Sequence, residues 1–374
     1  MGYGRWNDAI LEPMRQIGDP LADEVIAEVF REHEIAMVNQ IFRSLVENDD
    51  IVPHDMPPEV NTYLAQTATM PDWADTALIA QGEEFFSLNW PVIVTLLFCA
   101  SLPSAYAAWR GAQVLLLTTR LTERIHRRIF ETAQFVLNVM SPGAFTPHGQ
   151  GIRSVQKVRL MHAAIRHLIE YDPRWRSQWD MAWGVPINQE DLAGTLMTFS
   201  TEILVGMARF HIPIRAADEE AFFHAWKVVG HIMGIQPDLL PTDPQDAYDL
   251  AEPIFHRQRG PSKAGRTLTK ALIEFMERQM PGTLFDDLPS TIMRHAVDKD
   301  VADMLRVPRS NWTILLLNFE ETLARVFDRF LPGDFRRSRI LEWCSDAMVQ
   351  EIINMERGGQ RTRFTIPASL RAPV

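Results

Sequence analysis

Apolar residues recur every three or four positions along most of the chain, and no stretch alternates with the period of two that a half-buried strand needs. "DPLADEVIAEVFREHEIAMVNQIFRSL" predicts a helix that starts at Pro20, with Asp19 as its N-cap. "INQEDLAGTLMTFSTEILVGMARF" predicts another, capped by Asn188, with an apolar stripe through Leu192, Leu196, Phe199, Ile203 and Met207. "ADEEAFFHAWKVVGHIMGI" repeats the pattern from Asp218, and Gly234 supplies a stop signal. "TDPQDAYDLAEPIF", "SKAGRTLTKALIEFMERQMPG" and "RSNWTILLLNFEETLARVFDRFL" predict three more helices. The connecting segments are short and rich in Pro, Gly and Asp, and no repeat of solenoid length occurs. The pattern predicts one all-α globular domain over residues 15–350, followed by a polar, proline-containing tail over 357–374.

The run from Phe85 to Trp109 carries no charge and needs a membrane test. Its strongest part, "WPVIVTLLFCASL", falls short of the roughly 20 apolar residues that span a bilayer, so a buried core helix is expected, with peripheral contact to lipid or a greasy ligand as the other use. Of the 374 residues, 46% are hydrophobic and 23% charged, which is globular rather than disordered composition. The net charge of −11 disfavours nucleic acid, whose binding needs clustered Lys and Arg. Cys99 and Cys344 are too few for a disulfide framework, and there is no C-x-x-C for zinc or for covalent haem attachment. The start, "MGYGRWNDAILEPMRQ", has no basic region followed by an apolar core, so a cytoplasmic protein is expected unless a secretory leader has already been removed.

Most apparent motifs dissolve on inspection. "MGYG" has no strand before it, "GPSKAGRT" lacks phosphate-loop spacing, and "REHEIA" has no second histidine. His224 and His231 are seven residues apart on one helix but lack further converging ligands. His148, His211 and His256 carry no assignment.

One helix stands apart. In "KVRLMHAAIRHLIEYDPRW" the apolar stripe through Val155, Val158, Ile165 and Ile169 also contains His162, flanked by Arg159 and Arg166. Haem b suits such a surface: a large apolar ring, two propionates that guanidinium groups can pair, and an iron that imidazole can ligate. The bland alternative is a core histidine beside salt-bridged arginines. A second helix, "RLTERIHRRIFETAQFVLNVM", sets Arg128, Glu131, Thr132 and Phe135 at spacings of three and four, hence on one face. Donors and a carboxylate entering an apolar pocket suit dioxygen and proton removal, although an intrahelical surface network uses the same residues.

"RLMHAAIRH", with its Arg-x-x-His-x-x-x-Arg-His spacing, resembles the haem-ligand motif of the latex clearing proteins and the mpaB-like oxygenases that share their catalytic domain (DUF2236). "WGVPINQEDLAGTLMTFSTEILVGMARF", "FFHAWKVVGHIMGIQPDLLP" and "GDPLADEV" are similar to the same family, so the likeness covers roughly residues 15–350 in order. The resemblance implies an all-α domain of globin-like character enclosing a haem pocket. It implies that His162 ligates the iron of a non-covalent haem b, with Arg159, Arg166 and His167 as close supports. It further implies that Arg128 and Thr132 face the oxygen side. One position departs: rubber-cleaving members carry a lysine before that threonine, where this chain has Glu131.

The function expected from these residues is a haem-dependent oxygenase that uses O2 on an apolar, unsaturated, isoprenoid-like small molecule or polymer. Oxidative cleavage of a C=C bond is its expected chemistry. Glu131 is the candidate base for an allylic proton, Arg128 and Thr132 are the polarising groups, and the replacement at 131 puts rubber itself in doubt. Two other readings stay open at this level: a haem-binding sensor, carrier or peroxidase-like protein, and a haem-free helical interaction protein. Substrate identity, electron donor and oligomeric state are beyond the sequence.

Overall fold

The computed structural model describes residues 5–32, 57–122, 125–279 and 287–309. The predicted tail, the helix expected from Arg309 and the second half of the one begun at Pro20 lie outside the described residues. Throughout the described part the chain is helical, and the one β-contact is an isolated bridge between Ala108 and Arg259.

The helices, in order, are α1 (Asp8–Met14), α2 (Pro20–Glu32), α3 (Pro58–Thr67), α4 (Thr76–Leu96), α5 (Leu102–Ala107), α6 (Gly111–Thr122), α7 (Ile125–Met140) and α8 (Gly151–Tyr171). They continue as α9 (Pro173–Arg176), α10 (Gln189–Phe199), α11 (Thr201–Arg209), α12 (Ala216–Ile232), α13 (Pro244–Gln258), α14 (Lys263–Gln279), α15 (Leu288–Ala296) and α16 (Lys299–Met304). Caps fall where the side-chain chemistry places them. Asn188 accepts from the Asp191 amide at the start of α10, Asp243 accepts from the Asp246 amide ahead of α13, and Gly234 past the end of α12 takes φ +86°.

The single helix expected after Asn188 is two, broken at Ser200. The Ser200 and Thr201 hydroxyls donate back to the carbonyls of Leu196 and Met197, at 2.8 Å each. Such back-bonding competes with the helical ladder and bends it. The uncharged segment belongs to a longer helical stretch than its sequence reading gave, but it is the buried core helix expected. A turn of π-helix over Leu97–Ser101 joins α4 to α5, so 76–107 forms one 32-residue helical stretch, long and apolar enough to cross a membrane by length and composition. Of its most apolar window 72% is buried inside the fold, which marks it as a core helix.

Two clusters make up the interior. The larger centres on α4, which packs on α12 so tightly that a methyl group on Gly82 would come within 2.5 Å of the Ala221 carbonyl; Phe85 and Phe222 meet edge to face beside it. The smaller joins α2 and α3 to one side of α8 through Val25, Ile26, Val60, Tyr63, Leu160 and Ala164. Helix α8 therefore has protein on both faces, with α2 behind it and α7 in front.

Candidate functional site

Between the two clusters lies a cavity of about 310 Å³, at the lower edge of the roughly 300–1,000 Å³ typical of ligand sites. Its walls come mainly from α5–α8, α10, α12 and α13, and are mostly aliphatic or aromatic: Leu102, Val114, Leu115, Phe135, Val158, Met161, Ile165, Leu196, Phe199, Val229 and Met233 among them. The uncharged segment thus contributes Leu102–Tyr106 to the wall, while its first half is core.

Helix α8 presents Val158, Met161, His162 and Ile165 to the cavity, at spacings of three and four. The imidazole of His162 has no hydrogen-bond partner at Nδ1. Burial, aided by the positive charges of Arg166 and Arg128, pushes its pKa down to about 3. The ring is therefore neutral at physiological pH and holds a lone pair available to a metal. A protonated ring would have two guanidinium charges near it and no carboxylate close enough to offset them.

That depression carries a stability cost in the haem-free protein. Between about pH 6.5 and pH 3 the unfolded chain protonates His162 and the folded chain does not. Stability therefore falls as pH drops through this window, by about 1.4 kcal/mol per pH unit. Urea unfolding of wild type and His162→Phe at about pH 6.5 and pH 5 should show the wild type losing about 2 kcal/mol more than the variant. Parallel losses in the two proteins would mean that the ring titrates normally.

Across from α8, helix α7 brings Arg128, Glu131, Thr132 and Phe135 into the same cavity. Arg128 donates from Nη1 to the Leu115 carbonyl at 3.2 Å and to the Thr118 hydroxyl. Burial lowers its pKa, while Tyr106 and Glu131 oppose that shift; a guanidinium stays charged even so. Thr132 spends its hydroxyl hydrogen on the Arg128 carbonyl, 2.9 Å away, and so meets the cavity as an acceptor rather than as the expected donor.

Arg159, Arg166 and His167 do not line the cavity. The expectation that the two guanidinium groups hold the acidic edge of a ligand is corrected here, because α2 packs behind α8 and supplies their partners. Arg159 grips Asp19 with two bonds, Nε to Oδ2 at 2.6 Å and Nη2 to Oδ1 at 2.8 Å, and donates from Nη1 to the Ile232 carbonyl at 2.9 Å. Burial pulls its pKa down, but the bonds to Asp19 outweigh that and raise it. A methyl group on Gly234 would sit 2.6 Å from the same guanidinium, so this glycine serves both its positive φ and the arginine beside it. Arg166, 2% exposed, pairs with Asp23 at 2.7 Å and donates to the Ile187 carbonyl at 2.8 Å. His167 stacks on Phe30 at 4.6 Å and leans on Tyr171, outside the cavity, with its pKa lowered by burial. All three brace the helix that carries His162; the cations on the cavity wall itself, among the described residues, are Arg128 and Arg259.

Sequence reasoning missed the far wall. Glu190, fully buried, accepts from Arg15 at 3.2 Å, Arg257 at 2.8 Å and Gln258 at 2.8 Å, tying α1, α10 and α13 together where Glu190, Asp191 and Gln258 border the cavity. Burial raises the pKa of Asp191, against the pull of Arg15. The signal was an acidic pair at a helix start, which capping alone explains. Tyr106 was also missed, hidden within an apolar run. His224 and His231 sit away from the cavity, edge-on to Trp73.

A neutral histidine and an arginine on the walls of one largely apolar cavity mark an all-helical protein with an internal chamber. Its affiliation is narrower than that. The chain belongs to the family of the ER-bound oxygenase mpaB/B′ and rubber oxygenase catalytic domain, whose model matches residues 86–329. The rubber oxygenase of Streptomyces sp. (strain K30) is 26% identical over 289 residues, which cover 77% of this chain and 70% of that protein. A solved structure of latex clearing protein LCP in the closed state superimposes with a TM-score of 0.80 at 23% identity, covering 95% of each chain, and shows the same all-α fold.

Proposed function

We propose that this protein is a haem b-dependent oxygenase that uses O2 to cleave a C=C bond in an apolar, isoprenoid-like substrate. The observation that carries the reading is the His162 imidazole, neutral, unpaired at Nδ1 and on the wall of a cavity with apolar sides. Those are the properties a porphyrin and its iron require of a protein ligand. Family membership supports the oxygen chemistry, and the rubber oxygenase relative supports a greasy, unsaturated substrate.

When bound, the haem would supply redox-active iron for dioxygen chemistry. Everything else falls to the chain. His162 would hold the iron, and Val158, Met161 and Ile165 would pack beside the ring and keep water from it. Arg128, fixed through Nη1 to Leu115 and Thr118, would present its remaining N–H groups to the oxygen side. Glu131, which feels the Arg128 charge and lines the same wall, would accept the allylic proton. The apolar walls would align the substrate chain by shape.

The test combines spectrum and turnover. The purified protein should show a Soret band that shifts on dithionite reduction. It should also consume O2 and release carbonyl products from a panel of polyisoprene oligomers and unsaturated lipids, with no peroxide added. Glu131→Gln should keep the band and lower turnover by roughly 100-fold, within the range lost with a general base. A band without O2 uptake would favour a sensor or carrier. A colourless protein that ignores added hemin would leave the cavity to another ligand.

A further inference from the structure

Three tyrosines of the described residues are buried or half-buried, and two have partners: Tyr63 donates to the Gln156 carbonyl at 3.2 Å and the half-buried Tyr248 to Glu219 at 2.8 Å. The third, Tyr106, is 7% exposed and lines the cavity, yet its hydroxyl makes no hydrogen bond among the described residues. Buried phenols almost always find a partner. An unpaired one on a cavity wall indicates that its partner is what the cavity holds.

The neighbours define that partner. Arg128 lines the same cavity as Tyr106 and His162 and is close enough to influence both electrostatically. Burial raises the pKa of Tyr106 to about 12, against the pull of Arg128, so the O–H is intact at any working pH. Two donors, one charged and one neutral, line a cavity whose walls are mostly hydrocarbon. An apolar chain has nothing to accept from them, whereas a small oxygen species does.

We infer that Tyr106 is a catalytic hydrogen-bond donor, its phenol O–H acting with Arg128 to bind and orient the oxygen co-substrate in the cavity that His162 also lines. The inference rests on the haem reading above. It concerns hydrogen bonding only and moves no proton. Arg128 supplies charge and Tyr106 direction, since a phenol on an aromatic ring has a single O–H to aim.

The test uses fluoride, a small anion that bonds ferric haem and relies on nearby donors for its affinity. Holoprotein is titrated as wild type, Tyr106→Phe and Tyr248→Phe. Tyr106→Phe should keep the wild-type Soret intensity and bind fluoride about tenfold more weakly, the loss expected for one hydrogen bond to a charged group. Tyr248→Phe, which removes a phenol that does not line the cavity, should match wild type. Unchanged fluoride affinity in Tyr106→Phe overturns the inference, leaving the haem reading intact. Loss of the Soret band in Tyr106→Phe alone also overturns it, because the phenol then holds the cofactor rather than the oxygen. Absence of the band in the wild type overturns both.

Discussion

His162→Ala should yield a folded protein whose hemin affinity is more than roughly 100-fold below wild type, beyond the 10–100-fold that losing an outer-shell partner of a metal ligand costs. The Soret band should vanish at stoichiometric hemin. The fold should survive for a specific reason. The substitution removes packing, which costs stability, and it also removes a buried nitrogen that has no hydrogen-bond partner, which returns some of it. Free imidazole added to the variant should fill the vacated space and restore much of the band. Full haem content in His162→Ala would place the iron ligand elsewhere and dismiss the central assignment.

The second large effect is on stability. Asp19→Ala should destabilise the fold by about 3–5 kcal/mol, the cost of leaving a buried charge without its partner. Arg159 is then held among Ile232, Gly234 and Tyr63 with no carboxylate bonded to it and only the more distant Asp23 to offset its charge. Asp19 also accepts from the Ala22 amide at the start of α2, so part of the loss is a lost cap. Asp19→Leu combined with Arg159→Met should recover most of the loss, because a buried ion pair replaced by apolar groups of similar volume is often neutral or better. Urea unfolding of the two single variants and the double variant measures this coupling. The folded fraction of Arg159→Met should still take up haem near the wild-type level. A folded variant that cannot hold haem would return Arg159 to the cofactor's edge.

The helical character of the chain, the caps at Asp19 and Asn188 and the stop at Gly234 were readable because they are local. Each depends on residues within a turn or two, and the 3.6-residue period of the apolar positions reports them directly. The grouping of Arg128, Glu131 and Thr132 was readable for the same reason, as was the singling out of His162: helix spacing fixes which side chains share a face. The break at Ser200 is also local, but back-bonding by a hydroxyl is a choice of rotamer, and composition does not announce it.

Long-range partners decided the rest. On a helical wheel Arg159 and Arg166 flank His162, and nothing in the period says whether they reach forward with it or back. That choice belongs to α2, which brings Asp19 and Asp23 from some 140 positions away and satisfies both guanidinium groups behind the helix. Tyr106 was invisible for the opposite reason, since a tyrosine in an apolar run looks like packing until its hydroxyl is seen to lack a partner. The sequence by itself determined an all-helical chain with one unusual histidine on an apolar face. Only the tertiary structure decided which charges stand before that histidine and which behind it, because a buried charge goes where its counter-charge is, and counter-charges are set by packing between helices distant in the chain.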